Sequence, residues 1–257
     1  MRLRARHLRS FEIYELTGVT GVRFGELVRR LWILHPDTGR GRPWGMSSPD
    51  RVLMTVMYLR TNLTQRQLAV LFNVSQRQVD RVLHDLLAVL GELLGPVPAD
   101  RRELWIVDGT LIPTRDHTRT ALCKNYRRSV NVQVVGRRRD RKVTCVGEAW
   151  PGHRNNSVVY CATVGPVVSG HRHLIGDGGY QRVTGVTPPK RGPDGRIIRD
   201  AAWRRFRKRR AAVEHVLAEL KVWSVLRDCR WRGDGIDQSV RAVGALHNLR
   251  IEMKETS

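Results

Sequence analysis

Three acidic residues stand where a carboxylate is costly to place. Asp108 follows four apolar residues in LWIVDGT, Asp177 follows an apolar pair and a glycine in HLIGDGGY, and Glu214 sits beside Val213, Val216, Leu217 and Leu220 in VEHVLAELKVW. A carboxylate next to a buried sheet or helix face needs a cation or donors to repay its lost hydration. The two glycines after Asp177 would let backbone approach a ligand closely. Brought together, three carboxylates repel one another, raise at least one pKa, and suit two Mg²⁺ ions about 3.5 to 4 Å apart, as phosphoryl transfer on nucleic acid requires. Asp108, Asp177 and Glu214 are therefore the candidate metal ligands and the candidate catalytic residues. Taken singly, Asp108 also fits a turn-forming Asp before glycine, and Glu214 an ordinary acid on a helix surface.

Basic residues surround the third acid. WRRFRKRR, residues 203–210, holds six basic residues in eight, enough to neutralise phosphates beside an acidic pocket. Lys221 follows Glu214 by seven residues, two helical turns on and on nearly the same face. Arg207, Arg210 and Lys221 are candidate DNA contacts; a merely solvated basic face is the alternative. The whole chain repeats the bias: 46 Lys and Arg against 24 Asp and Glu give a formal charge of +22 over 257 residues. Such an excess exceeds what solubility needs and makes nucleic acid the leading partner.

The elements that must position these groups fall into two parts. Residues 1–98 carry apolar residues at helical spacing, as in RFGELVRRLWIL and PDRVLMTVMYLRTNL, and GPVPAD at 95–100 breaks the pattern. Residues 99–257 open with short β-branched runs, LWIVDGT, SVNVQVVG and KVTCVGEAW, which read as strands, with Asp108 closing the first. SVVYCATV fits a helix or a strand. HLIGDGGY reads as a buried strand ending in a glycine turn, TPPKRGPDGR as a loop, and two helices follow, from about Asp200 to Arg227 and from Ile236 to about Met253. The sequence thus predicts an all-α unit followed by an α/β domain.

Within the first part, LTQRQLAVLFNVSQRQVDRVLHDLL, residues 63–87, fits a helix-turn-helix. Thr64 and Ser75 can cap the two helices, Ala69 is small where they would cross, and Asn73-Val74 make the turn. The second helix would present Gln76, Arg77, Gln78 and Arg81 to a major groove. A plain helical hairpin with a solvated face is the alternative.

Cys123, Cys145, Cys161 and Cys229 form no CxxC pair and no zinc spacing, so reduced core residues are expected. No apolar run reaches a membrane span and the start lacks a signal peptide's apolar stretch, which predicts a cytoplasmic protein, with the nucleoid its expected place once DNA is the partner. His153, His171 and His173 lack ligand spacing and read as loop or core residues. VVGRRRDRKV, residues 134–143, reads as a basic hairpin open to DNA contact or simple solvation. Trp203 and Trp223 fit a core or a base-stacking role.

Several of these motifs, in this order, resemble the DDE transposases of bacterial insertion sequences and the DDE endonuclease domain shared with Harbinger-like transposons. LTQRQLAVLFNVSQRQVDRVL resembles that family's helix-turn-helix, VDGT its first acid, GDGGY its second and VEHVLAELKVW its glutamate helix. Arg210, Glu214 and Lys221 match the Y-x-x-R-x-x-x-E-x-x-x-x-x-x-K pattern of related enzymes. The resemblance implies an RNase H-like mixed sheet flanked by helices, and two divalent ions, Mg²⁺ with Mn²⁺ able to substitute. It also implies cutting at terminal inverted repeats and joining of the freed 3′-hydroxyls to target DNA. Pairing of two ends would require a homodimer or larger assembly on double-stranded transposon-end and target DNA. Asp108, Asp177 and Glu214 take the catalytic positions and Lys221 a DNA-contacting one. The chain departs from the pattern twice: Arg207 stands at the tyrosine position, and PGHRNNSVV offers Asn155 and Asn156 where relatives often have an acid, so no anionic ligand stands there. Two other functions remain open on the residues, a DNA-binding regulator without catalysis and an RNase H-like host nuclease.

Overall fold

The computed structural model describes residues 2–37, 44–97, 102–122 and 128–252. Cys123, residues 98–100 of the expected boundary stretch, and Met253 lie outside them.

Five helices come first: α1 (Ser10–Thr17), α2 (Gly21–Leu34), α3 (Ser48–Thr61), α4 (Gln65–Phe72) and α5 (Gln76–Glu92). The central one is α3, where every residue from Asp50 to Leu59 is buried. Ser47 starts it by accepting from the Asp50 amide, and Asn62 ends it in the left-handed region. The helix-turn-helix forms as its caps predict. Thr64 accepts from the Gln67 amide while Gln67 reaches back to the Thr64 amide, Asn73 turns the chain at φ 50°, and Ser75 accepts from the Gln78 amide to open α5.

A mixed sheet follows. Its strands are β1 (Trp105–Pro113), β2 (Ala121–Leu122), β3 (Arg128–Arg137), β4 (Val143–Val146) and β5 (Trp150–Pro151), then β6 (Leu174–Ile175) and β7 (Val186–Thr187). The spatial order is β2-β3-β1-β6-β7, with β4 and β5 also on the outer edge of β3. β1, β3, β4 and β5 pair antiparallel, whereas β6 runs parallel to β1 and β7 parallel to β6. Between β5 and β6 lie α6 (Asn156–Ala162) and α7 (Val164–Val168), which resolves SVVYCATV as helix. After β7 come α8 (Ala201–Leu220) and α9 (Gly235–Ile251). The architecture is α/β, a helical N-terminal part followed by a mixed sheet with helices on both faces.

Strand alternation decides which helix each residue meets. Trp105, Val107 and Val135 pack with Tyr160, Val164 and Val168 on the α6–α7 face. Ile106 packs with Ile175 and Val213 on the α8 face, and Val130, Val132 and Val134 face the core that α9 shares with the N-terminal helices. That core is continuous from Phe24 and Leu53 through Leu83 and Leu87 of α5 to Val240 and Leu246 of α9. The second helix of the helix-turn-helix, α5, is thus anchored by apolar packing to the part that carries the acids.

Three expectations are corrected. Asp108 does not close its strand, because β1 continues to Pro113 with every residue paired to β3. The long helix stops at Leu220, not Arg227: Trp223 is fully buried, and the chain turns through a 3-10 segment, Ser224–Leu226, to bury it. Cys145 and Cys229 are buried as expected, but Cys161 is exposed. Among the described residues, no helix is long and apolar enough to cross a membrane.

Candidate functional site

Asp108 and Asp177 are neighbours by register. Ile106 of β1 lies beside Ile175 of β6, and each acid is two residues further along its chain, so the two point to the same side of the sheet. That side is the one α8 covers. β6 has ended by Asp177, whose carboxylate instead accepts from the Gly179 amide at 2.8 Å and opens a 3-10 turn through Tyr180.

Glu214 completes the group through a cation. Arg210 Nη1 donates to Asp108 Oδ2 at 2.8 Å, and its Nη2 donates to Glu214 Oε1 at 2.5 Å, one helical turn on. A single guanidinium therefore ties the central strand to the glutamate helix. The side chains of Asp108 and Arg210 are only 14% and 20% exposed, against 55% for Glu214, so the pair with Asp108 is the desolvated one. Burial pushes the Asp108 carboxyl above its ordinary value; Arg210 pulls it down without cancelling that effect, and Asp177 adds to the rise. Burial opposes the charge of Arg210, but Asp108, Glu214 and Asp177 together raise its pKa and keep it a cation.

As they stand, no three His, Cys, Asp or Glu side chains among the described residues converge closely enough to hold a metal ion. The donor chemistry nonetheless suits a hard divalent cation, since all three acids offer oxygen and the site already draws a positive group between two of them.

Of the basic residues, Arg207 lies 5.0 Å over the Trp203 ring, which also meets Arg199 at 5.7 Å. Arg204, Arg207 and Lys208 line a cavity of about 470 Å³ that also reaches Asp177 and Glu214. Lys221 is the exposed C-cap residue of α8 and makes no ion pair with the acids. Arg210 differs most from expectation, because its partners are acids of this chain. On α5, Gln76, Arg77 and Arg81 are exposed and Gln78 is half-buried. Gln76 bonds to Gln65 at 3.5 Å, while the Arg81 guanidinium stacks 4.6 Å from the Trp44 ring.

Sequence reasoning missed a buried polar chain on the opposite face of β1. Gln133 and Asn131 alternate with valines on β3 and join Asn156 of α6 and Tyr180 of the Asp177 turn. The signal was visible in SVNVQVVG, where polar residues occupy one face of a strand otherwise fit for a core. Burial, then the charges of Asp108 and Asp177, push the Tyr180 phenol far up, so it remains a donor to Gln133. The histidines serve the structure or the surface: His171 stacks on Trp105 with ring centres 3.7 Å apart, and His153 and His173 are exposed. Trp223 is core. In the basic hairpin, Arg137 pairs with Asp140 and Glu103, and Arg139 with Glu103, so acids of this chain neutralise part of its charge.

Comparison with known proteins gives two matches. Residues 44–96, from Trp44 through α5, match the helix-turn-helix of DDE superfamily endonuclease. Over 247 residues, 93% of this chain and 94% of the other, the sequence is 39% identical to the "Putative transposase for insertion sequence element IS112" of Streptomyces albus G.

Proposed function

Because the chain belongs to the DDE transposases of insertion sequences, we propose that it binds the terminal inverted repeats of its element and catalyses metal-dependent strand cleavage and strand transfer. The observation that carries this reading is the junction at Arg210, where acids from the central strand and from α8 meet one cation. Asp108, Asp177 and Glu214 are the catalytic acids. An RNase H-like fold is supported by the sheet, in which antiparallel strands lie on one side of β1 and two parallel strands on the other.

Residues 1–98 act as the DNA-binding unit and 99–257 as the catalytic one. Gln76, Arg77, Gln78 and Arg81 face the groove from the start of α5, where side chains can reach base edges. Arg207, Lys208 and Arg204 hold backbone phosphates beside the acids, which fixes the strand without reading its sequence.

Divalent ions, Mg²⁺ or Mn²⁺, held by Asp108, Asp177 and Glu214 would supply an activated attacking oxygen and stabilise the leaving one. Asp108, its side chain only 14% exposed, supplies a carboxylate whose charge the surroundings disfavour until a cation meets it. Arg210 neutralises that charge in the free protein and is within reach of a phosphate once displaced. Two DNA ends brought together require at least a dimer, with target DNA as the second substrate.

The test is strand transfer. Pre-cut end DNA carrying a free 3′-hydroxyl is mixed with a target plasmid and Mg²⁺, Mn²⁺ or EDTA. Joined product with either metal and none with EDTA is expected; DNA binding that survives EDTA with no joined product under any metal would replace this reading with that of a non-catalytic DNA-binding protein.

A further inference from the structure

The chemistry just proposed uses the α8 side of β1. On the α6 side, Gly109, Leu111, Asn131, Asn155, Asn156 and Gly179 are among the residues lining a cavity of about 890 Å³. That volume lies within the range of small-molecule sites and is ample for one nucleotide. Gly109 follows Asp108 directly and Gly179 is two residues from Asp177, so the cavity opens beside both acids. Only the edge of β1, which β6 leaves unpaired beyond Ile106, separates the two sides.

The wall of this cavity is built from amides whose orientation is fixed. Tyr180 donates its hydroxyl to Gln133 Oε1, which leaves Gln133 Nε2 to donate to Asn131 Oδ1 at 3.1 Å and Asn156 Oδ1 at 3.4 Å. Asn131 Nδ2 donates to the same Asn156 oxygen at 2.9 Å. Gln133 is fully buried and Asn131 is 3% exposed, so neither can turn to water instead. The Asn156 carbonyl thus has both lone pairs engaged, and its amide nitrogen, which has no partner among the described residues, is left to donate into the cavity. Gly109 is part of the same construction: a Cβ there would come within 2.3 Å of Asn156 Oδ1.

We propose that this cavity takes the base of the nucleotide adjoining the scissile phosphate, with Asn156 donating to an acceptor on the base edge. The inference rests on the transposase reading and adds to it a point of sequence selection at the cut itself. The ligand is a base because the buried part of the wall offers neutral amides; the exposed His153 and Arg154 also line the cavity, but the larger basic set that suits phosphates, Arg204, Arg207 and Lys208, lies across the strand edge.

Asn156→Asp is the discriminating variant. An aspartate keeps an oxygen for Asn131 and Gln133, so the fold is preserved, but it turns the inward donor into an anionic acceptor. Cleavage of labelled DNA flanking this gene would be measured with each nucleotide near the cut replaced in turn by an abasic site, and separately with each nearby phosphate made a neutral methylphosphonate. The expected result is one position at which the abasic change slows the wild type about tenfold, the scale of one lost hydrogen bond with its neighbours, and at which Asn156→Asp no longer distinguishes base from abasic. Wild-type cutting indifferent to every abasic change, or discrimination kept by Asn156→Asp, overturns the proposal. Sensitivity confined to the methylphosphonate overturns the base assignment in favour of phosphate. Absence of cutting on every substrate would instead remove the transposase reading on which the proposal rests.

Discussion

Arg210 Nη1 and Asp108 Oδ2 meet at 2.8 Å between the glutamate helix and the central strand, and both side chains are largely withdrawn from water. Removing the guanidinium leaves the Asp108 charge without its counter-charge in a poorly solvated place, whereas removing the carboxylate leaves Arg210 its second partner, Glu214. Arg210→Gln is expected to lower stability by about 1 to 3 kcal/mol, a charged hydrogen bond's worth reduced by residual solvent screening. Mn²⁺ should restore the melting temperature of this variant more than that of the wild type, because the ion replaces the lost cation. Equal Mn²⁺ shifts in the two proteins, read by thermal denaturation, would mean that the acids and the ion do not meet.

Asp108→Asn gives the opposite sign. Burial raises the folded-state pKa of Asp108 above its ordinary 3.8, so the ionised form costs stability that is lost as pH rises from the unfolded pKa through the folded one. The amide carries no such cost. Asp108→Asn should therefore melt higher than the wild type at neutral pH, with the difference shrinking as pH falls from the folded pKa towards 3.8 and gone below it, while catalysis is lost. Chemical denaturation of the two proteins across pH 3 to 7 checks this; a variant less stable at neutral pH would contradict it.

His247 supplies a second pH signature, away from the acids. Its ring is 1% exposed, with Nε2 at 2.9 Å from the Arg141 carbonyl and Nδ1 at 3.4 Å from Glu219. Burial holds its pKa below the ordinary 6.5, despite the raising effect of the Arg141 carbonyl and Glu219. The unfolded chain therefore takes up this proton first as pH falls, and the stability present above 6.5 declines through the window down to the folded pKa. His247→Gln should flatten that decline; an unchanged slope in urea titrations between pH 5 and 7 would show that another group sets it.

On α5, Arg77 is exposed and Arg81 is held over Trp44. Arg77→Ala should weaken end binding by about 1 to 3 kcal/mol if it meets a base edge, or reduce the salt slope by about one if it meets phosphate. Trp44→Ala should reproduce the loss of Arg81→Ala, since the ring holds that guanidinium in place. Unaltered binding in all three, by fluorescence anisotropy over a salt series, would move the recognition surface off α5.

How much of this was legible in the sequence depended on how local the cause was. Thr64, Asn73 and Ser75 announced the helix-turn-helix because caps and turns are decided within four residues. The acids stood out because burial next to Val107 or Val213 makes a carboxylate conspicuous. The continuation of β1 past Asp108 was hidden, since Asp-Gly-Thr reads as a turn. Only the pairing with β3, and Asn156 passing close over Gly109, explain why a glycine sits in mid-strand. The early end of α8 was hidden for a similar reason: burying Trp223 is a tertiary demand that outweighs helix propensity from Lys221 to Arg227. The role of Arg210 could not be separated from those of its neighbours in RRFRKRR, where spacing alone does not say which guanidinium turns inward.

The most direct test of the central claim is cleavage of a labelled duplex containing the DNA that flanks this gene, by the wild type and Glu214→Gln, in Mg²⁺, Mn²⁺ or EDTA. Glu214 is more than half exposed, so the substitution leaves folding intact. The account predicts cutting at a fixed position with either metal, none in EDTA and none by Glu214→Gln. Equal cutting by the variant, or cutting that persists in EDTA, would contradict it.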